Sequence, residues 1–226
     1  EVSIPDNFVF PDDSDTKIYL VDKPGTTQSV IYMGHKSNKY DVDGDYYKSR
    51  IMNYPLGGGA SARLFLNLRE DKGYTYGVYS FFNANQDRGF FAVYSSVKTE
   101  ATDSALVEIL TELNNYTKKG ITVDELRYTK TSMLNSEALK YESPMQKISF
   151  LNRMLQYDLD DSYIKKQSKI LNSITKSEVD ELAKRFIKED MLSIVIVGNA
   201  YLIKDKLKNL KSKDGKKYNY SITEIK

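Results

Sequence analysis

Apolar and polar residues follow two rhythms along this chain. In the first half they repeat every second residue, the spacing of a strand with one covered face. Lys17 to Val21 and Ser29 to Met33 read as strands on either side of a turn at Pro24-Gly25. Tyr76 to Phe82 and Gly89 to Val97 read as two more, joined at Asn83–Arg88 as a hairpin. In the second of these, Phe91, Val93 and Val97 share one face, and Phe90, Ala92 and Tyr94 share the other. Between the two pairs a tyrosine-rich helix is expected, capped by Asp43 or Asp45, running through Met52 and ending at Pro55.

The second half changes to helical spacing. Ala105, Leu106, Ile109, Leu110 and Leu113 make an apolar stripe, closed by Gly120. Thr122 with Glu125, and Thr175 with Glu178, are capping-box starts, and Ser143-Pro144 opens another helix with proline at its first position. Met191 to Val197 is almost wholly apolar and reads as a buried strand. It turns at Gly198-Asn199 into a last helix near Tyr201–Leu210, followed by a lysine-rich tail. Strands, then helices, then a returning strand predict an α+β fold: one mainly antiparallel β-sheet with helices packed on one face. Residues 1–16, acidic and carrying Pro5 and Pro11, read as a lead-in or interdomain linker, and residues 17–226 as a single domain.

Composition narrows the function classes. The 226 residues suffice for a sizeable core, to which 18 Tyr and 9 Phe contribute. A net charge of +2 on 33 basic and 31 acidic residues does not point to nucleic acid or a membrane surface. No apolar run is long enough for a membrane span. Without cysteine there is no disulfide framework. A first residue other than methionine suggests a processed or excised piece.

The candidate chemistry lies in Leu56-Gly57-Gly58-Gly59-Ala60-Ser61-Ala62-Arg63-Leu64-Phe65, continuing to Leu68-Arg69-Glu70-Asp71-Lys72-Gly73-Tyr74-Thr75-Tyr76. This reads as a glycine turn, one amphipathic helix with Leu64, Phe65 and Leu68 inward, a glycine cap at Gly73, and a strand opening at Tyr76. An arginine near a helix end and a tyrosine at a strand start are thereby brought close. A guanidinium beside a phenol suits the holding of a polarised carbonyl oxygen.

The same run, Leu-Gly-Gly, Ser-x-Arg-Leu-Phe and Leu-Arg-Glu-x-Lys-Gly-x-x-Tyr, resembles the signature of the pitrilysin/insulysin-like zinc metallopeptidases, in the half that does not bind the metal. The resemblance covers nearly the whole chain from about Lys17. It implies that Arg69 and Tyr76 reach across a cleft to a partner's zinc site. There the tyrosine hydroxyl would steady the tetrahedral oxyanion and the arginine would hold the substrate backbone. Arg63, in the Ser-x-Arg-Leu position, is expected to support the helix. Tyr74 departs from the aliphatic residue often found there. The family's zinc site is His-x-x-Glu-His with a downstream Glu. This chain has one histidine, His35, and no cysteine, too few ligands for a catalytic zinc. No cofactor is therefore expected on this chain, and zinc is expected in a His-x-x-Glu-His partner domain, upstream in the same polypeptide or on a separate subunit. A peptide is the implied substrate, in a bacterial envelope, cytoplasm or organelle. The competing expectation is a catalytically inactive scaffold of the same fold.

Other motifs carry less. Gly57-Gly58-Gly59 lacks the Gly-Lys-Ser/Thr ending of a phosphate loop and reads as a turn between helices. Asp41-Val42-Asp43-Gly44-Asp45 puts Tyr46 and Met52 where a calcium loop needs Gly and Glu, so first-turn acids are the better reading. His35 reads as a surface or hydrogen-bonded residue following a strand. The lysines of Lys204–Lys217 read as a solvated face rather than a nucleic-acid site. Glu137 and Glu142 show no sign of converging.

Overall fold

In the computed structural model, residues 15–139 and 142–225 are described; the expected lead-in lies outside them except for Asp15 and Thr16. Strands β1 (Lys17–Asp22) and β2 (Gln28–Ser37) precede helix α1 (Asp45–Gly57). A short α2 (Arg63–Phe65) runs into a π-helical turn (Leu66–Asp71), then β3 (Thr75–Ala84) and β4 (Gly89–Lys98). Helices α3 (Thr102–Lys119), α4 (Val123–Leu139), α5 (Pro144–Gln156), α6 (Ser162–Ser173) and α7 (Lys176–Phe186) follow. Strand β5 (Ser193–Gly198), α8 (Ala200–Lys208) and β6 (Ser221–Ile225) end the chain.

The strands form one six-stranded sheet in the order β3-β4-β2-β5-β1-β6. The pairings β3/β4, β4/β2 and β2/β5 are antiparallel, while β1 runs parallel to both β5 and β6. The mainly antiparallel α+β reading therefore holds. Alternation sorts the side chains. Ile18, Leu20, Ile31, Met33, Val78, Phe91, Val93, Ile194 and Ile196 are buried under the helices. On the other face Tyr32, Tyr79, Phe90 and Tyr94 are 37–44% exposed. These rings meet edge to face, Tyr32 with Tyr94 at 6.2 Å and Phe81 with Phe90 at 6.1 Å.

Local signals explain most element starts. The expected capping box forms at Thr175/Glu178, and Thr122 and Glu125 exchange the same pair of bonds before α4; the proline-opened start at Ser143 carries one as well, with Gln146. Three expectations are corrected. Neither Asp43 nor Asp45 caps α1: the Asp41 carboxylate does so from further back, accepting from the N–H groups of Gly44 and Tyr46 at 2.8 and 3.1 Å. The helix does not end at Pro55 but carries it in its last turn. Leu56 and Gly57 beyond it are buried against β3, and that packing outweighs the lost backbone bond. The tail also returns to the sheet as β6, whose mostly exposed residues carry almost no apolar alternation.

Gly57 is needed for close approach. A Cβ there would fall 2.3 Å from the Ser80 hydroxyl and 2.4 Å from its backbone nitrogen. The glycine run is thus a helix end pressed onto β3. His35 lies within β2, not after it, and is buried. Its Nδ1 is 2.7 Å from the Lys36 carbonyl, and its Nε2 accepts from the Lys188 N–H at 3.0 Å. This is the bonding of a neutral imidazole with the proton on Nδ1, a structural role.

Candidate functional site

The Leu64 and Leu68 side chains are fully buried and fix the segment 63–71 against the core. Between them the helix changes pitch. The Leu66 N–H bonds to Ala62 in the α pattern at 3.0 Å, whereas the Lys72 N–H reaches back to Asn67 and the Tyr74 N–H to Leu68, at 3.0 and 2.9 Å. The expected single amphipathic helix is therefore a short α-turn followed by a wide π-turn. Such turns hold one extra residue and recur at functional sites. Gly73 then adopts φ +63°, a conformation in which a Cβ is strained, and reverses the chain into β3.

Strand β3 opens with a bulge. Thr75 pairs with Val97 and Val78 with Ser95, so Tyr76 and Gly77 together stand opposite Ser96. Thr75 holds the distortion: its hydroxyl donates to the Ser96 carbonyl at 2.5 Å and accepts from the Gly77 N–H and the Ser95 hydroxyl at 3.0 and 3.1 Å. A bulge of this kind re-aims a side chain. Here it turns Tyr76 outward, 78% exposed. The Arg69 guanidinium lies 4.9 Å from the Tyr76 ring centre, a cation–π contact. Its nearest carboxylate, Glu70, is 4.0 Å away. A cleft of about 70 Å³ beside the pair is lined by Gln28, Tyr74, Ser96 and Lys98 among others. The structure thus brings Arg69 and Tyr76 together, with the phenol facing solvent and a cation backing its ring.

Arg63 points the other way. It forms a two-pronged pair with Glu125 at 2.5 and 2.7 Å and also donates to the Gly120 carbonyl at 2.9 Å. It therefore ties the signature helix to the start of α4. Burial alone would raise the Glu125 carboxyl, but hydrogen bonds from Arg63 and Thr122 outweigh it and hold the group below its ordinary value. A carboxyl lowered by folding stabilises above its unfolded pKa of about 4.3, and that contribution is lost as pH falls through the folded value. The expected result is a melting temperature that drops between pH 5 and pH 3 more steeply in the native chain than in Glu125→Gln. Parallel curves would refute the assignment.

The remaining candidates resolve into structure. Lysines 204, 206, 208 and 213 pair with Glu224, Asp103, Asp205 and Glu108. Asp45 pairs with Arg185 and Asp43 with Lys166, rather than with each other around an ion. Among the described residues no group of three or more His, Cys, Asp or Glu converges as a metal site would require, and no helix is long and apolar enough to cross a membrane. The bulge went unread in the sequence, although a glycine inside a strand pattern, Gly77, was its signal.

Residues 2–133 match the family described as the peptidase M16 inactive domain. The chain belongs to that family. The M16 chain is 30% identical over 175 residues to an uncharacterized zinc protease, YmxG, of Bacillus subtilis, covering 76% of this chain and 42% of the relative. It is 27% identical over 189 residues to a protein of Helicobacter pylori named as a non-peptidase homolog, covering 82% and 43%. It therefore spans less than half the length of these curated relatives. Among solved structures, the M16 inactive domain from Pseudomonas fluorescens superposes with a TM-score of 0.75 at 28% identity, over 83% of this chain and 45% of that one. A protease from Helicobacter pylori shares the fold, with a TM-score of 0.74 at 20% identity over 87% and 48%. The chain is an inactive, C-terminal-type M16 domain of zinc protease-like proteins.

Proposed function

We propose that this domain is the closing half of a zinc metalloendopeptidase. It covers a peptide held by a zinc-bearing partner and offers Tyr76 and Arg69 to the reacting carbonyl. The observation that carries the reading is the exposed Tyr76 phenol on its bulge, backed by the Arg69 guanidinium at 4.9 Å. A zinc ion held by the partner's His-x-x-Glu-His segment would supply the attacking water. The residues of this chain bind and stabilise. As the scissile carbonyl becomes tetrahedral, its oxygen gains negative charge, and the Tyr76 hydroxyl donates a hydrogen bond to it. Arg69 adds positive charge beside it and directs donors at the peptide backbone. The open sheet face, with its half-exposed rings of Tyr32, Tyr79, Phe90 and Tyr94, gives the peptide an apolar wall. A peptide in such a site adds to a sheet as an extended strand.

The second reading, a scaffold that keeps the fold without the chemistry, is favoured by the Helicobacter pylori relative named as a non-peptidase homolog. A reconstitution separates the two. This chain alone should not hydrolyse a quenched fluorogenic peptide or bind zinc stoichiometrically. Mixed with its zinc-bearing half it should restore turnover that neither gives alone. A stable complex of both halves that stays inactive on broad peptide libraries would favour the scaffold.

A further inference from the structure

A second polar cleft lies at the far end of β3. It has a volume of about 610 Å³ and is enclosed by α1, the end of β3 and α5. Arg50 and Arg153 line it together with Tyr40, Tyr46 and Tyr157, and its lining contains no aspartate or glutamate. That is unusual within this molecule. Arg63, Arg69, Arg127 and Arg185 each sit within 4.0 Å of a carboxylate. Among the described residues neither Arg50 nor Arg153 has such a partner. Glu137 lines the adjoining cleft together with Arg50.

The tyrosines complete an oxyanion-binding surface. Tyr40 stacks on Tyr157 at 3.8 Å and meets Tyr46 at 5.2 Å, which fixes the rings. Burial pushes the Tyr40 phenol up to about 12 and raises Tyr46 as well, against the pull of nearby arginines. The Tyr40 phenol therefore stays protonated and can donate to an anion, while the Tyr46 hydroxyl donates to the Phe82 carbonyl at 3.4 Å and helps to fix its ring. Two arginines with free forks and a neighbouring hydroxyl donor match a carboxylate better than any neutral group.

The cleft shares β3 with the Arg69/Tyr76 pair. Tyr76 stands at the start of the strand and Phe81 to Ala84 at its end, and β3 is an edge strand of the sheet. Five to eight extended residues separate the two places, roughly 17–26 Å at strand rise. We propose that Arg50 and Arg153 form a specificity-determining subsite for a carboxylate of the bound peptide, five to eight residues from the bond at Tyr76. The inference rests on the peptide-binding reading above and adds a substrate class to it: peptides with an acidic residue or a chain terminus at that distance.

Calorimetric titration of this chain with matched peptides tests the subsite without the zinc half. A peptide with Asp or Glu at the proposed distance should bind roughly tenfold tighter than its Asn or Gln analogue, about the worth of one charge-assisted bond. Arg50→Gln with Arg153→Gln should erase that preference, while Arg→Lys at both positions should restore part of it. C-terminal amidation assigns the source: loss of binding on amidation points to the chain terminus, and retention points to the side chain. Both arginines are exposed, so unchanged melting curves would show that the variants fold. Tyr76→Phe should leave the preference intact, so a failure of the oxyanion role and a failure of this subsite are distinguishable. Equal binding of acidic and neutral peptides overturns the proposal. So does a preference that survives in the double glutamine variant, or binding of inorganic phosphate at Arg50 and Arg153 with no peptide preference.

Discussion

Tyr76→Phe is expected to lower kcat of the assembled two-half enzyme by about 10²–10³, the usual cost of one oxyanion donor, with KM and melting temperature little changed. The substitution removes a single oxygen. The ring stays, so the Arg69 guanidinium keeps its aromatic support. The bulge stays, because Thr75, Gly77, Ser95 and Ser96 hold it without help from the phenol. With the side chain 78% exposed, no cavity opens and stability should move by no more than about 0.5 kcal/mol. A donor used only when charge has developed should affect kcat and kcat/KM alike. Turnover within about twofold of the native enzyme would remove Tyr76 from the chemistry and leave Arg69 alone to account for the pair.

Leu68→Ala should produce a large loss of stability, about 2–5 kcal/mol. For a chain of this length that corresponds to a drop of roughly 4–20 °C in melting temperature. Leu68 is fully buried and sits in the wide turn directly before Arg69. Its carbonyl also receives the Tyr74 N–H at 2.9 Å, so the residue links the core to the connection that carries the site. Leu66→Ala on the same turn is the matched control. Leu66 is half-exposed, and its loss should be near the surface range of about 0.5 kcal/mol. Equal destabilisation of the two variants would mean that the turn is not anchored through Leu68.

Features written in local chemistry were legible in the sequence. The capping boxes at Thr122 and Thr175 depend on residues three apart, and the helix start at Ser143 on the proline beside it. The two faces of β4 follow from alternation, although Ala92, on the open face, is buried as well. The proximity of Arg69 and Tyr76 followed from the motif and the glycine between them. Illegible features depend on residues distant in sequence, or on backbone geometry to which spacing is blind. Leu64, Phe65 and Leu68 fit an α-helix as well as a helix with one residue inserted, so periodicity hid the wide turn. Asp41 caps α1 from outside the positions a cap normally takes. Pro55 breaks helices by rule and is overruled by the burial of Leu56. The cleft of Arg50 and Arg153 joins α1 to α5, about a hundred residues apart, and no local pattern announces it.

The wide turn at 66–71 has a consequence for how this segment tolerates insertions and deletions. Each helical residue rotates the next by about 100°, and the π-turn absorbs one residue more than an α-turn would. Removing one residue there would give a regular, better-bonded helix. It would also carry Arg69 about a quarter turn around the axis, away from the ring of Tyr76. Sequence length across Leu66–Asp71 is therefore a marker in its own right. Among relatives of this chain, those one residue shorter there should present their arginine to a different neighbour, even where every side chain of the motif is retained.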